Sequence, residues 1–161
     1  MSRYPHHLRA FDYRGFYRYF LTFCTHERSR HFTTREHVEL VSQQIQRTCL
    51  EEQFAGIAYC FMPDHLHLLV EGQREDADLK RFIKSAKQYS GFHFRERTGL
   101  RLWQRYGFEH VLREEEDTMK VAYYIIANPV RAGMVACPAD YPYWGSFAYS
   151  RDELLEYIRA A

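Results

Sequence analysis

Two histidines separated by one residue, His65 and His67, are the first feature of this chain that could do chemistry. They lie in Met62-Pro-Asp-His-Leu-His-Leu-Leu-Val70, where Leu66 and Leu68 alternate with them. Alternation of period two is strand behaviour, and in a strand residues i and i+2 point to the same face. Both imidazoles then project side by side from one sheet surface while the leucines enter the core. Paired in this way they form half of a divalent-metal site. Without further ligands they read as two half-exposed histidines with no special role. A zinc site completed by Cys60 is a third reading, although no fourth ligand is obvious.

A second pair lies downstream. Tyr124 and Asn128 are four residues apart in a stretch of helical character, so they share one helix face. Tyr123 has only Ala127 at the same offset. Brought to the two histidines, this face would supply a third neutral ligand, Asn128, and a nucleophile, Tyr124. A hard divalent ion held by His65, His67 and Asn128 keeps positions open for phosphate oxygens and acts as a Lewis acid on a phosphodiester. Tyrosine suits covalent attack there, because the ester it forms conserves the bond energy for a later strand transfer. The structural alternative makes Tyr124 a core aromatic and Asn128 the residue that ends a helix before Pro129.

The elements that must position these groups follow from the local pattern. Phe16 to Thr25 is rich in aromatic and β-preferring residues and reads as the first strand. Thr33 or Thr34 caps a helix in which Val38, Val41, Ile45 and Cys49 form one apolar face to about Leu50. Phe54 to Phe61 is the second strand, turned at Pro63-Asp64 into the histidine strand, which ends near Glu71-Gly72. Asp76 or Asp78 opens a second helix along Leu79, Phe82, Ile83, Ala86, Ser90 and His93, stopped by Gly99. Leu102-Trp-Gln104 is a short extended passage and Phe108 to Leu112 a fourth strand. Glu114-Glu-Glu-Asp117 places carboxylates where a helix dipole favours them, and that helix runs to about Asn128. Tyr141 to Phe147 is an aromatic loop that could clamp the body or a base, and Arg151 to Ala160 is a terminal helix. The order strand, helix, strand, strand, helix, strand predicts an α+β fold. Its antiparallel sheet is ferredoxin-like (RRM-like), with helices on one face and an additional helix carrying the tyrosine. The histidine strand is then central, and its face opposite the first two helices is open to a ligand.

A length of 161 residues fits a single domain over 1–161, with a basic-aromatic arm at 1–15 and a helical tail at 148–161. Hydrophobic content of 46% and aromatic content of 17% exclude a disordered chain. No apolar run approaches the ~20 residues that span a bilayer, and the N-terminus has no secretory h-region. Cys24, Cys49, Cys60 and Cys137 are scattered without a CxxC, which points to a reducing, cytoplasmic setting. Net charge is only +1, but from Lys80 to Arg105 eight basic residues face one acid, Glu96. That local excess is a candidate phosphate-binding face, or else a solvated basic helix. Arg3, Arg9 and Arg14 among Tyr4, Phe11 and Tyr13 could contact a strand by charge and stacking, or pack along the domain edge.

Together these motifs resemble the HUH single-tyrosine transposases, and within them the REP-associated tyrosine transposases. The matching pieces are Met62 to Val70, Phe82-Ile-Lys-Ser, Leu102-Trp-Gln104 and Tyr123-Tyr-Ile-Ile-Ala-Asn-Pro-Val-Arg-Ala-Gly-Met-Val135, spread in order over most of the chain. The family's histidine pair falls on His65 and His67, and its tyrosine with a following amide on Tyr124 and Asn128. In active relatives that amide is often glutamine; asparagine is one methylene shorter. The resemblance implies a nuclease and strand transferase acting on single-stranded DNA with Mg²⁺ or Mn²⁺, through a 5′-phosphotyrosine and a free 3′-hydroxyl. It also implies a hairpin substrate flanked by a short single-stranded guide. By charge and type, Lys80, Lys84, Lys87, Arg101 and Arg105 are then candidate backbone contacts, and Trp103, Tyr106 and Trp144 candidates for stacking. Two other classes stay open: a non-catalytic DNA-hairpin binding module of the same fold, and a phosphodiesterase using metal-bound water. The resemblance allows either a monomer or a homodimer.

Overall fold

The structure is a computed structural model and describes residues 12–161. Arg3, Tyr4, Arg9 and Phe11 of the expected arm lie outside the described residues. The arm's last part packs on the body: Tyr13 is buried against Tyr19, and Arg14 pairs with Asp78 at 3.6 Å.

Strands β1 (Arg18–Cys24), β2 (Phe54–Met62), β3 (His65–Gly72) and β4 (Phe108–Val111) and helices α1 (Arg35–Glu51) and α2 (Leu79–Thr98) follow the expected order. They form an antiparallel sheet in the order β4-β1-β3-β2, the ferredoxin-like arrangement, with β3 central. A two-residue strand, β5 (Trp144–Gly145), extends it beside β2. The caps are those the sequence signals. Thr34 Oγ1 accepts from His37 N, Asp78 accepts from Lys80 N and Arg81 N, and Gly99 closes α2 in the left-handed region at φ 75°.

The first core lies between the sheet and α1 and α2. Tyr19, Leu21 and Phe23 of β1 and Leu66, Leu68 and Val70 of β3 meet Val41 and Ile45 of α1 and Phe82 and Ala86 of α2. The opposite face is not bare. Helix α3 (Thr118–Ile126), followed by a single turn α4 (Asn128–Arg131), packs there together with α5 (Arg151–Ala160). They cover Ile57, Ala58, Cys60, Met62 and Leu69 with Ala122, Ile125, Ile126 and Leu154. The cause is legible in β2, Phe-Ala-Gly-Ile-Ala-Tyr-Cys-Phe-Met, which is apolar at nearly every position and must be covered on both sides. The expected open face therefore survives only over β1 and β4, and α5 is part of a second layer.

Three local expectations change. Phe16 and Tyr17 are exposed ahead of β1, which begins at Arg18. The tyrosine helix stops at Ile126 and a further turn begins at Asn128, but Ala127 between them stays right-handed helical at φ −83° and ψ −4°, so Tyr124 and Asn128 remain about one turn apart. Pro129, near the start of α4, has no N–H to continue the ladder. The aromatic loop supplies β5, and its Trp144 is buried with Nε1 donating to the Pro138 carbonyl at 2.7 Å. Trp144 is thus core and offers no face to a base.

Candidate functional site

The register that pairs β3 with its neighbours builds the site. His67 stands opposite Thr22 and Cys60, and His65 opposite Cys24 and Met62. Since Leu66 and Leu68 fill the first core, both imidazoles project onto the second face, with ring centroids 4.7 Å apart. Each has its Nδ1 engaged: His67 with Thr22 Oγ1 at 2.8 Å, His65 with Asp64 Oδ1 at 2.7 Å. Asp64 is itself held by Arg28 Nε at 3.0 Å. Burial works against the Asp64 carboxylate, yet the hydrogen bonds from His65 and Arg28 keep it below its usual range. Burial, together with the nearby His65 and Arg131, pushes His67 down to about 3, so the ring is a neutral donor at physiological pH.

The tyrosine segment closes over this pair from the other side. Asp117 caps α3 by accepting from Met119 N and Lys120 N, and Arg18 anchors its start, donating to Glu116 O, Thr118 Oγ1 and Arg113 O. Ala122, Ile125 and Ile126 bury the inner stripe, which leaves Tyr123 and Tyr124 about half exposed, at 52% and 53%. Just past Ala127, Asn128 Nδ2 lies 3.5 Å from His65 Nε2. Arg131 stacks its guanidinium 3.8 Å from the centre of the Tyr124 ring and donates to the Tyr124 carbonyl at 2.6 Å. Phe20 stands between the groups, 5.3 Å from the His67 ring and 6.1 Å from Tyr124.

These residues fit a divalent cation. Nδ1 of both rings is engaged by an oxygen, the support that metal-binding histidines ordinarily have, and Nε2 is left for a ligand. A half-turn of the Asn128 amide presents Oδ1 in place of Nδ2. Among the described residues no three His, Cys, Asp or Glu side chains come together to hold a metal. The zinc site built with Cys60 is thereby corrected, and burial also raises that thiol to about 12, far from the thiolate that zinc requires.

The basic residues gather on the other side of the sheet. Lys80, Lys84, Lys87, Arg105 and Tyr106 line a groove of about 350 Å³ between α2 and the start of β4, floored by Phe23. Lys87 and Arg105 continue it into a second groove of about 590 Å³ with Arg95, Arg101 and Phe92. Lys87 is half-buried, with Nζ 3.4 Å from the Gln104 carbonyl, and burial lowers its pKa. Trp103 is the exception. It is 6% exposed, packed edge-on against Phe23, with Nε1 donating to Ser90 Oγ. A stacking role for Trp103 is therefore corrected: its faces are spent on the core.

Sequence reasoning missed Thr22, Phe20 and Arg131. Arg131 had a signal, lying seven residues after Tyr124 and so two turns along the same side. Thr22 and Phe20 become visible only once strand register is known.

Comparison with known proteins agrees with this architecture. The family model described as an IS200-like transposase matches residues 16–126. A REP-associated tyrosine transposase of Escherichia coli is 25% identical over 137 residues, covering 82% of this chain and 80% of that protein. A Haemophilus influenzae protein provisionally given the same name is 27% identical over 137 residues, covering 78% and 77%. A solved REP-associated tyrosine transposase bound to a REP hairpin superposes with a TM-score of 0.70 at 25% identity, covering 86% of this chain and 81% of that one. A Deinococcus radiodurans structure shares the fold, with a TM-score of 0.53 at 19% identity over 74% of this chain and 95% of its own. The chain belongs to the IS200-like transposase family, is similar to REP-associated tyrosine transposases, and is a DNA nicking and joining enzyme.

Proposed function

We propose that this transposase cleaves and rejoins single-stranded DNA beside foldback hairpins. Tyr124 would be the covalent nucleophile, and His65, His67 and Asn128 would hold a divalent cation, Mg²⁺ or Mn²⁺. The observation that carries this reading is convergence within one chain. Asn128, four residues after Tyr124, comes within 3.5 Å of His65 Nε2. That contact supports a site completed in cis, whether in a monomer or in each half of a homodimer.

Thr22 and Asp64 fix the orientation of the two imidazoles. The cation, when bound, supplies Lewis-acid polarisation of the scissile phosphate. Tyr124 Oη attacks phosphorus and forms an O–P bond as the P–O3′ bond breaks. The phenol proton is lost to solvent and the departing 3′-oxygen takes one up. One strand leaves with a free 3′-hydroxyl, and the 5′-phosphate remains on Tyr124. Attack by a 3′-hydroxyl on that ester reverses the sequence and joins two ends without spending another high-energy bond. Arg131, stacked on the ring and bonded to the Tyr124 carbonyl, would hold the ring in place.

A hairpin partner is supported by the solved relative bound to a REP hairpin and by the basic grooves along α2. Lys80, Lys84, Arg101 and Arg105 would follow phosphates there, with Tyr106 available to stack. No helix among the described residues is long and apolar enough to cross a membrane. The four free cysteines suit the reducing cytoplasm, where DNA is met.

The test uses 5′- and 3′-labelled oligonucleotides carrying hairpins from the gene's own flanks, with Mn²⁺, read on denaturing gels. A covalent adduct should form with wild type and with Tyr123→Phe, and be absent from Tyr124→Phe and His65→Ala. An adduct lost in Tyr123→Phe instead would overturn the assignment of the nucleophile. Hydrolysis that survives Tyr124→Phe would make water the attacking group.

A further inference from the structure

Beside Tyr124 the second sheet face holds a cleft that none of the assignments above uses. It encloses about 470 Å³ between α3 and the β1–β4 edge, lined by Phe20, Phe108, His110, Glu116, Lys120 and Tyr124 among others. That volume falls in the range of small-ligand sites, roughly 300–1,000 Å³. Phe20 forms its aromatic centre, with Tyr124 6.1 Å away and Phe108 6.4 Å away, each meeting it edge-on. Phe108 is 47% exposed, an unusual place for a phenylalanine on a short edge strand.

Three further observations indicate what the cleft would take. Phe108 lines both this cleft and the basic groove on the other side of the sheet, so one side chain joins the two surfaces across the β4 edge. Lys120 is one helical turn before Tyr124 and makes no ion pair among the described residues, which leaves a cation free at the rim beside the nucleophile. The acids of the cleft are already engaged. Glu116 accepts from His110 Nε2 at 3.1 Å and from Arg113 N at 3.0 Å, and Asp117 caps α3.

We propose that this cleft binds one unstacked base of the single strand next to the scissile phosphate, with Phe108 as the stacking surface and Lys120 on the adjoining phosphate. The inference rests on the reading of Tyr124 as nucleophile and adds to it a path. DNA held along α2 crosses the β4 edge at Phe108 and enters the site from that side. Aromatic faces accept any base, so the contact is expected to be sequence-tolerant.

The experiment uses the full chain with Tyr124→Phe, so that no cleavage intervenes. The probe is a fluorescein-labelled hairpin from the gene's own flank, followed by about eight unpaired nucleotides. Each unpaired position is replaced in turn by an abasic residue, and affinity is read by anisotropy. One position should lose about tenfold, the scale of a single base–aromatic stack. Phe108→Ala should lose a similar factor on the intact probe and nothing further on the abasic one. 2-Aminopurine at that position should be quenched by the parent protein and by Phe108→Trp, but not by Phe108→Ala. A flat abasic scan, or losses that multiply at every position, would overturn the proposal. If the scan and the quenching hold while wild type forms no adduct, the cleft stands and the nucleophile assignment fails. If the adduct forms and the scan is flat, the reverse holds.

Discussion

Thr22→Val is the perturbation that most directly tests how the histidine pair is held. Valine matches threonine in shape and suits a strand, so β1 and its pairing with β3 should persist. What disappears is the oxygen 2.8 Å from His67 Nδ1. For His67 to offer Nε2 to a cation, Nδ1 must carry the proton and donate it to Thr22. The variant leaves that N–H buried without an acceptor, at a cost of about 1–3 kcal/mol. The ring is then free to adopt the other tautomer, which turns a protonated nitrogen toward the site. Losing an oxygen of this kind behind a metal-binding histidine weakens binding about 10–100-fold, or about 1.4–2.7 kcal/mol. Mn²⁺ titration of adduct formation should shift to higher concentration by that factor, with the rate largely restored at saturating metal. The melting temperature should fall by about 2–12 °C, at about 2–4 °C per kcal/mol in a chain of this size. Thr22→Ser should recover most of the Mn²⁺ affinity. An unchanged Mn²⁺ midpoint in well-folded Thr22→Val would refute the role given to the Thr22–His67 bond, and with it His67 as a ligand through Nε2.

The remaining predictions concern the groove and the buried imidazole. Lys84→Gln with Arg105→Gln should weaken hairpin binding across sequences and flatten the salt dependence of affinity by about two phosphate contacts. Trp103→Phe should leave that binding unchanged while lowering thermal stability, since its indole is bonded to Ser90 inside the core; a slope unmoved by the double change would dissociate the groove from DNA. His67 is neutral in the folded chain down to about 3, whereas an unfolded histidine takes its proton near 6.5. The unfolded state therefore binds the extra proton between those values, so the metal-free protein loses stability as pH falls through that window, by at most about 1.4 kcal/mol per pH unit from this group. Denaturant melts in EDTA at about pH 7.5 and about pH 5 should show a smaller difference for His67→Gln than for wild type; equal differences would mean that His67 is not held neutral.

Much of this molecule was legible in the sequence because the signals are short-range. The alternation through His65 and His67 placed both rings on one face; Thr34, Asp78 and Gly99 announced helix ends; and the run of strands and helices selected the ferredoxin-like order. Each of these depends on a few neighbouring residues and on backbone geometry alone. The motifs from Met62 to Val70 and from Tyr123 to Val135 carried the family for the same reason.

What only the tertiary structure decided is what lies across space. Thr22 is forty-five residues from His67 along the chain and becomes its partner through β1–β3 register. The packing of α3 onto the second face of the sheet brings Asn128 to His65. Trp103 and Trp144 look from composition like surface rings for a base, but packing against Phe23 and the second core took them inward. The second covered face was implied by the unbroken apolar run of β2, yet which helix would cover it could not be read locally. Burial and register are properties of the assembled chain: they set which identical residue types face the candidate site, which become core, and which, like Phe108, are left in the open.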